Sequence, residues 1–143
     1  MANLDTHAED APCWPPTWVR ALLPSAILAC LEDTPLHGYA IARALGSRGF
    51  GVPQGGSLYP ALARLEESGT ISAEWTPGPS GPARRQYTLT PRGQRQLTRD
   101  RTMLGALTTA LGPDPQDGRD AVDADSSNPT AAATATNGAT HDL

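Results

Sequence analysis

A chain of 143 residues with 38% hydrophobic residues, one Phe, 14 Gly and 14 Pro fits one domain of ordinary size, and two folded domains are a tight fit. Its two cysteines and three scattered histidines give no zinc-ligand spacing, and no metal or cofactor is expected. The formal net charge of -4 argues at first against a nucleic-acid partner, but its distribution decides where an anion could dock. Residues 1–16 carry three carboxylates and no Arg or Lys, and residues 112–143 carry six Asp against Arg119. The middle, 17–111, holds ten Arg against six carboxylates, a net charge of +4.

Residues 1–16 contain three prolines and no apolar period, and read as a flexible acidic arm. From Trp18 onward, Val19, Leu22, Leu23, Ala26, Ile27, Cys30 and Leu31 follow the three-and-four spacing of one helix face. Pro24 interrupts that face, either as an early residue of a second helix or as a kink, and a break there is the expectation. Cys30 reads as a small core residue and not as a reactive thiol. With no signal peptide and no apolar run near eighteen residues in the sequence, a cytoplasmic protein with reduced thiols is expected.

After a turn over Glu32-Asp33-Thr34-Pro35, a short helix runs from Gly38 to Leu45 with Ile41 and Leu45 on one face, and ends at Gly46. A glycine-rich loop, 49–56, follows. Ser57 is placed to cap a third helix in which Leu58, Leu62 and Leu65 recur, with its end marked by Gly69. Three short helices joined by tight turns fit a helix-turn-helix. Next come two strands, Thr70–Thr76 and Arg84–Leu89, separated by the loop Pro77-Gly78-Pro79-Ser80-Gly81-Pro82, which can extend neither. A two-stranded ribbon packed on helices makes a winged helix.

Thr90-Pro91 restarts helix as cap and first residue, and Leu97, Leu104, Leu107 and Leu111 follow at spacings of seven, three and four, with Asp100 at one seam position. Such a seam on a last helix either packs on the chain's own first helix or meets a second copy, and the homodimer is the expectation. From Gly112 the chain is Asp, Ala, Thr, Gly and Pro, and reads as a disordered acidic tail. The expected architecture is therefore mainly α with a small β-wing: arm 1–16, winged-helix domain 17–90, dimerisation helix 91–111 and tail 112–143.

Three runs carry a family likeness: Pro35-Leu36-His37-Gly38-Tyr39-Ala40-Ile41, then Gly56-Ser57-Leu58-Tyr59-Pro60-Ala61-Leu62-Ala63-Arg64-Leu65-Glu66-Glu67-Ser68-Gly69, then Arg84-Arg85-Gln86-Tyr87-Thr88-Leu89-Thr90-Pro91-Arg92-Gly93. In order and spacing they resemble the signature stretches of PadR-family regulators, over roughly residues 20–110. The resemblance implies a winged helix-turn-helix whose long last helix dimerises, and a repressor released by a small hydrophobic or aromatic effector. Without apolar sequence for a further helical domain, the chain resembles the short subfamily. Some short members bind flat aromatic compounds through a Trp on the last helix; here that helix carries Met103 and Leu104 and no Trp.

The third helix is the natural reader of a major groove. Ser57, Tyr59 and Pro60 lie in its early turns and Arg64 just over one turn on, while Arg84 and Arg85 stand at the wing base, where at least one should touch phosphate. Ser57 serves equally as a plain cap, and Tyr59 could pack inside. Arg43 and Arg48 are secondary candidates or solvated. His37 more naturally fixes a turn than binds metal. No phosphate-cradling Gly motif, nucleophile elbow or paired catalytic carboxylate occurs in the part expected to be ordered, so an enzyme is not expected. The partners expected are double-stranded DNA and a second copy. The alternative is a winged-helix protein-interaction module that no longer binds DNA.

Overall fold

A computed structural model describes residues 11–114; most of the expected arm and tail lies outside the described residues. The elements in order are α1 (Pro16–Cys30), β1 (Leu36–His37), α2 (Gly38–Ser47), α3 (Gly55–Glu67), β2 (Ile71–Thr76), β3 (Arg84–Leu89) and α4 (Pro91–Ala110). This is the expected mainly helical architecture with a small antiparallel wing. The chain divides into two compact units, Met1–Met103 and Leu104–Leu143. The first holds the winged helix.

α1 opens on prolines, with Pro15 in the cap position and Pro16 within the helix, where a missing N–H costs nothing. The expected break at Pro24 is absent: the helix runs through it. Proline at that position deprives the Arg20 carbonyl of its partner, but Arg20 and Pro24 both lie on the exposed side, where water can take the carbonyl's place. The second half sinks inward, with Ala26, Ile27, Leu28 and Cys30 all buried. Burial pushes the Cys30 thiol upward, against a smaller opposing effect of Arg48, so it stays protonated as a core residue. Arg48 donates to the Ala29 carbonyl at 3.3 Å, which also accepts from the Glu32 amide at 3.3 Å, so the helix end is closed by both.

The sheet has three strands and not two. β1 pairs antiparallel with β3 through Leu36↔Tyr87 and His37↔Gln86, giving the order β1-β3-β2. A two-residue strand has no alternation to detect, which is why sequence periodicity passes over it. β2 and β3 pair from Ile71↔Leu89 to Thr76↔Arg84. The core gathers Ile27, Leu28, Ile41, Leu45, Leu62 and Ile71, all essentially inaccessible, with Leu58, Tyr87 and Leu97.

α3 starts two residues before the expected cap. Gln54 is the N-cap, extended and without a side-chain cap bond, and its carbonyl accepts from the Ser57 and Leu58 amides at 3.0 Å each. Ser57 therefore sits inside the first turn with an exposed side chain. The two glycines at 55 and 56 offer no competing side chain, so the helix extends backward through them. Its end is a Schellman motif: Gly69, at φ +79°, donates to the Glu66 carbonyl and Thr70 to the Leu65 carbonyl, each at 3.1 Å.

α4 is anchored as the sequence anticipates. The Thr90 hydroxyl accepts from the Gly93 amide at 3.0 Å and donates to the Gly69 carbonyl at 2.6 Å. The first half of α4 packs within its own chain. Leu97 is 2% exposed and belongs to the core, so it is not available to a second copy. Asp100 accepts from Ser25 and Gln96, at 2.7 Å each, tying α4 to α1. In the second unit, Leu107 and Leu111 are exposed and Leu104 is half-buried.

Glu32, just beyond α1, accepts from both terminal nitrogens of Arg101 at 2.8 and 3.0 Å and from Gln94 at 3.1 Å. Those hydrogen bonds, Arg101's first, hold its carboxyl down to about 2, below the unfolded value of roughly 4.3. Because the folded pKa is the lower one, the unfolded chain takes up the proton first on acidification. The contribution to stability is complete above about pH 4.5 and drains away as pH falls toward 2. Melting temperatures measured across that window should fall less steeply for Glu32→Gln than for wild type. Parallel curves would refute the linkage.

Candidate nucleic-acid interface

The buried residues of α3 are Leu58, Ala61 and Leu62. The opposite side presents Gly56, Ser57, Pro60, Ala63 and Arg64, with Glu67 at its far end, all exposed. Helical spacing places these on one stripe. Most of its side chains are small, so the helix backbone can come close to whatever it meets. Pro60 lies inside the helix, and the Gly56 carbonyl that it leaves unbonded belongs to this exposed stripe. No acidic residue occupies the first turn, so the partial positive charge of the N-terminus is uncompensated there. Arg64 adds a full charge in the last turn.

Beside this stripe is a cavity between the start of α2, Tyr59 of α3 and strand β3, lined by His37, Tyr39, Tyr59, Arg84, Arg85 and Tyr87, with Gly38 beneath. Tyr59 both packs and faces outward. Its ring lies over Gly38 so closely that a Cβ there would stand 2.8 Å from its hydroxyl oxygen and 3.0 Å from a ring carbon, yet the residue is 52% exposed. Tyr39 is also exposed. His37 is placed by the sheet, its Nδ1 3.2 Å from the Arg85 carbonyl of β3, a contact across the sheet and not within a turn. Tyr87 is buried, and burial raises its phenol above the usual range, so it remains a hydrogen-bond donor at neutral pH.

The two wing-base arginines differ. Arg84 pairs across the ladder with Thr76 and its side chain is exposed. Arg85 places one terminal nitrogen 2.8 and 2.7 Å from the two carboxylate oxygens of Glu66 on α3. Its guanidinium carbon is also 6.0 Å from the Trp75 ring centre and 5.9 Å from that of Tyr87, within cation–π range.

The expected site residues thus fall into three groups. Ser57, Pro60 and Arg64 share the outer stripe of α3. Tyr59, Arg84 and Arg85 line the adjoining cavity. Leu97 is in the core of the first unit, and Leu104, Leu107 and Leu111 belong to the second. Arg43 is exposed on α2, and Arg48 is engaged on the end of α1. Tyr39, Glu66 and Trp75 are participants that sequence reasoning passed over. Tyr39 carried a signal, since it falls out of phase with the Ile41/Leu45 face, but Glu66 and Trp75 acquire their roles only through Arg85. No helix among the described residues is long and apolar enough to cross a membrane.

The sequence model of the PadR-like family of transcriptional regulators matches residues 27–99. The transcriptional regulator Rv3488 of Mycobacterium tuberculosis is 39% identical over 88 residues, which are 62% of this chain and 80% of that protein. Among solved structures, a PadR-like transcriptional regulator from Bacillus cereus is 26% identical with a TM-score of 0.60, over 66% of this chain and 92% of that one. A PadR family transcriptional regulator from Eggerthella lenta is 30% identical with a TM-score of 0.57, over 67% and 80% of the respective chains. The match contains α2, α3 and the whole wing.

Proposed function

This chain belongs to the PadR-like family of transcriptional regulators, a family of regulators and not of enzymes, and on that premise we propose that it is a homodimeric repressor acting on double-stranded DNA in the cytoplasm. The observation that carries this reading is the thin outer stripe of α3, with no acidic residue in its first turn, beside a cavity bearing Tyr39, Tyr59 and Arg84. A helix of this kind enters the major groove with its early turns against the base edges. Ser57 can donate to or accept from a base edge or phosphate, Pro60 and Ala63 offer apolar contact to a thymine methyl, and Arg64 can donate to guanine. The Tyr59 hydroxyl and Arg84 reach toward the flanking backbone, and the wing loop lies along it.

Dimerisation rests on Leu104, Leu107 and Leu111 of α4, with the exposed Met103 beside them in sequence. Two copies joined there present twin α3 helices to half-sites roughly 34 Å apart on one face of a duplex. Occupying such an operator blocks transcription. Release by a small hydrophobic or aromatic effector is supported by the exposed rings of Trp14 and Trp18, on which a flat ligand can stack.

Mobility shift with the chain's own promoter region should show a sequence-preferring complex at moderate salt, and a reporter behind that promoter should rise when the chain is deleted. A purified protein that ignores duplex DNA at low ionic strength would leave only the protein-interaction reading. Arg84→Ala should weaken binding to all sequences alike and reduce the slope of log affinity against log salt by about 0.9, the share of one phosphate. An unchanged slope would remove Arg84 from the backbone contacts.

A further inference from the structure

Building on that DNA-binding reading, we propose that Glu66 is a positioning residue that holds Arg85 away from phosphate, and so sets how strongly the protein grips DNA of arbitrary sequence. The pair joins α3 to β3 at 2.7 Å, and its side chains keep 43% and 33% of their exposure for Arg85 and Glu66. It is therefore no buried ion pair on which the fold depends, since part-exposed pairs add little stability and are screened by salt. Its position has a consequence for binding. Arg85 lines the same cavity as Arg84 and Tyr59, so two guanidinium groups stand at the wing base where a sugar–phosphate backbone would pass, and one of them already carries a carboxylate.

Carboxylate and phosphate are both oxyanions that take guanidinium donors, so they compete for Arg85. While Glu66 holds it, Arg85 neutralises no phosphate and releases no counterion. Sequence-independent affinity is built almost wholly from such neutralisations, whereas base discrimination comes from the α3 stripe. Masking one arginine lowers affinity for every sequence by the same factor and leaves base contacts intact. Weak grip on arbitrary DNA is what a regulator needs when competing sites are numerous. The Trp75 and Tyr87 rings beside the guanidinium keep it at the wing base when the carboxylate is removed.

The test uses the full chain, fluorescence anisotropy, and two labelled duplexes of equal length, one from its own promoter region and one scrambled, between 50 and 200 mM potassium chloride. Glu66→Gln should tighten binding to both duplexes and steepen the salt slope by about 0.9, so that its advantage over wild type shrinks about three- to fourfold across that range. In an Arg85→Ala background the same substitution should leave the slope where Arg85→Ala alone puts it. Arg85→Ala by itself should barely change the wild-type slope. The proposal is overturned if Glu66→Gln leaves the slope unchanged, if the steepening survives without Arg85, or if Arg85→Ala alone flattens the slope by about 0.9. A wild-type protein that binds neither duplex at 50 mM salt overturns the DNA-binding reading itself, and the proposal with it.

Discussion

Leu107→Glu is expected to leave the winged helix folded, to make the protein monomeric at micromolar concentration, and to weaken operator binding by roughly 100-fold or more. Leu107 is 52% exposed and Leu111 is 74% exposed, and neither belongs to the core that folds the winged helix. A charge placed at Leu107 therefore costs the isolated chain little. Between two copies it would sit in an apolar seam with no partner, where an unpaired charge is strongly unfavourable. Losing the second copy turns one two-point engagement of the duplex into single-point binding, and linked sites commonly gain factors of 100 to 10,000 over either alone (roughly). Sedimentation equilibrium and anisotropy on one preparation test both halves. A Leu107→Glu protein that stays dimeric with unchanged affinity would move the interface elsewhere, whereas a monomer with full affinity would show that one copy suffices.

Gly93→Val should destabilise the protein by about 3 kcal/mol, at the upper end of overpacking costs, and lower its melting temperature by more than 10 °C (roughly 4–8 °C per kcal/mol for a domain of this size). Gly93 is buried in the first turn of α4. A Cβ there would collide with the Thr70 carbonyl oxygen, and 2.6 Å away would meet a methyl carbon of Leu89. The carbonyl cannot retreat cheaply. Thr70 also accepts from the Thr90 amide at 3.2 Å, and its own amide closes the end of α3. One enlarged side chain thus strikes the point where α3, the wing and α4 are laced together. Gly105→Val is the natural comparison, because a Cβ at Gly105 meets nothing within 4 Å. Equal melting temperatures for Gly93→Val and wild type would show that the close approach does not exist in solution.

Local signals were legible wherever a residue acts on its near neighbours. The apolar periods of α1 and α3, the Thr90-Pro91 start of α4 and the Gly69 stop of α3 all depend on contacts within a turn or two of the chain. They could be read without knowing the fold. The same reasoning misplaced features that depend on distant surroundings. Pro24 reads as a break because a proline removes a hydrogen bond, but whether a helix can tolerate that depends on which side of it faces water. Ser57 reads as a cap because its chemistry suits one, yet two preceding glycines let the helix begin at Gly55.

The interface divides along the same line. The residue types of α3 and the wing base were evident, including Ser57, Tyr59, Pro60, Arg64, Arg84 and Arg85, because a short amphipathic helix followed by a basic ribbon is visible as a pattern. Their states were not. Arg84 and Arg85 are adjacent, chemically identical and line one cavity, but only Arg85 meets Glu66, nineteen residues away. Leu97 and Leu107 belong to one apolar seam in the sequence, but the first is buried and the second is exposed.

Composition, apolar period and capping chemistry were enough to establish a mainly helical winged domain with a basic centre, since each is a property of residues close together along the chain. The third strand, the Glu66–Arg85 and Glu32–Arg101 pairs, the Ser25–Asp100 hydrogen bond and the inward turn of Leu97 came from folding alone. They join residues far apart in sequence, and an interaction of that kind leaves no periodic trace in the order of the amino acids.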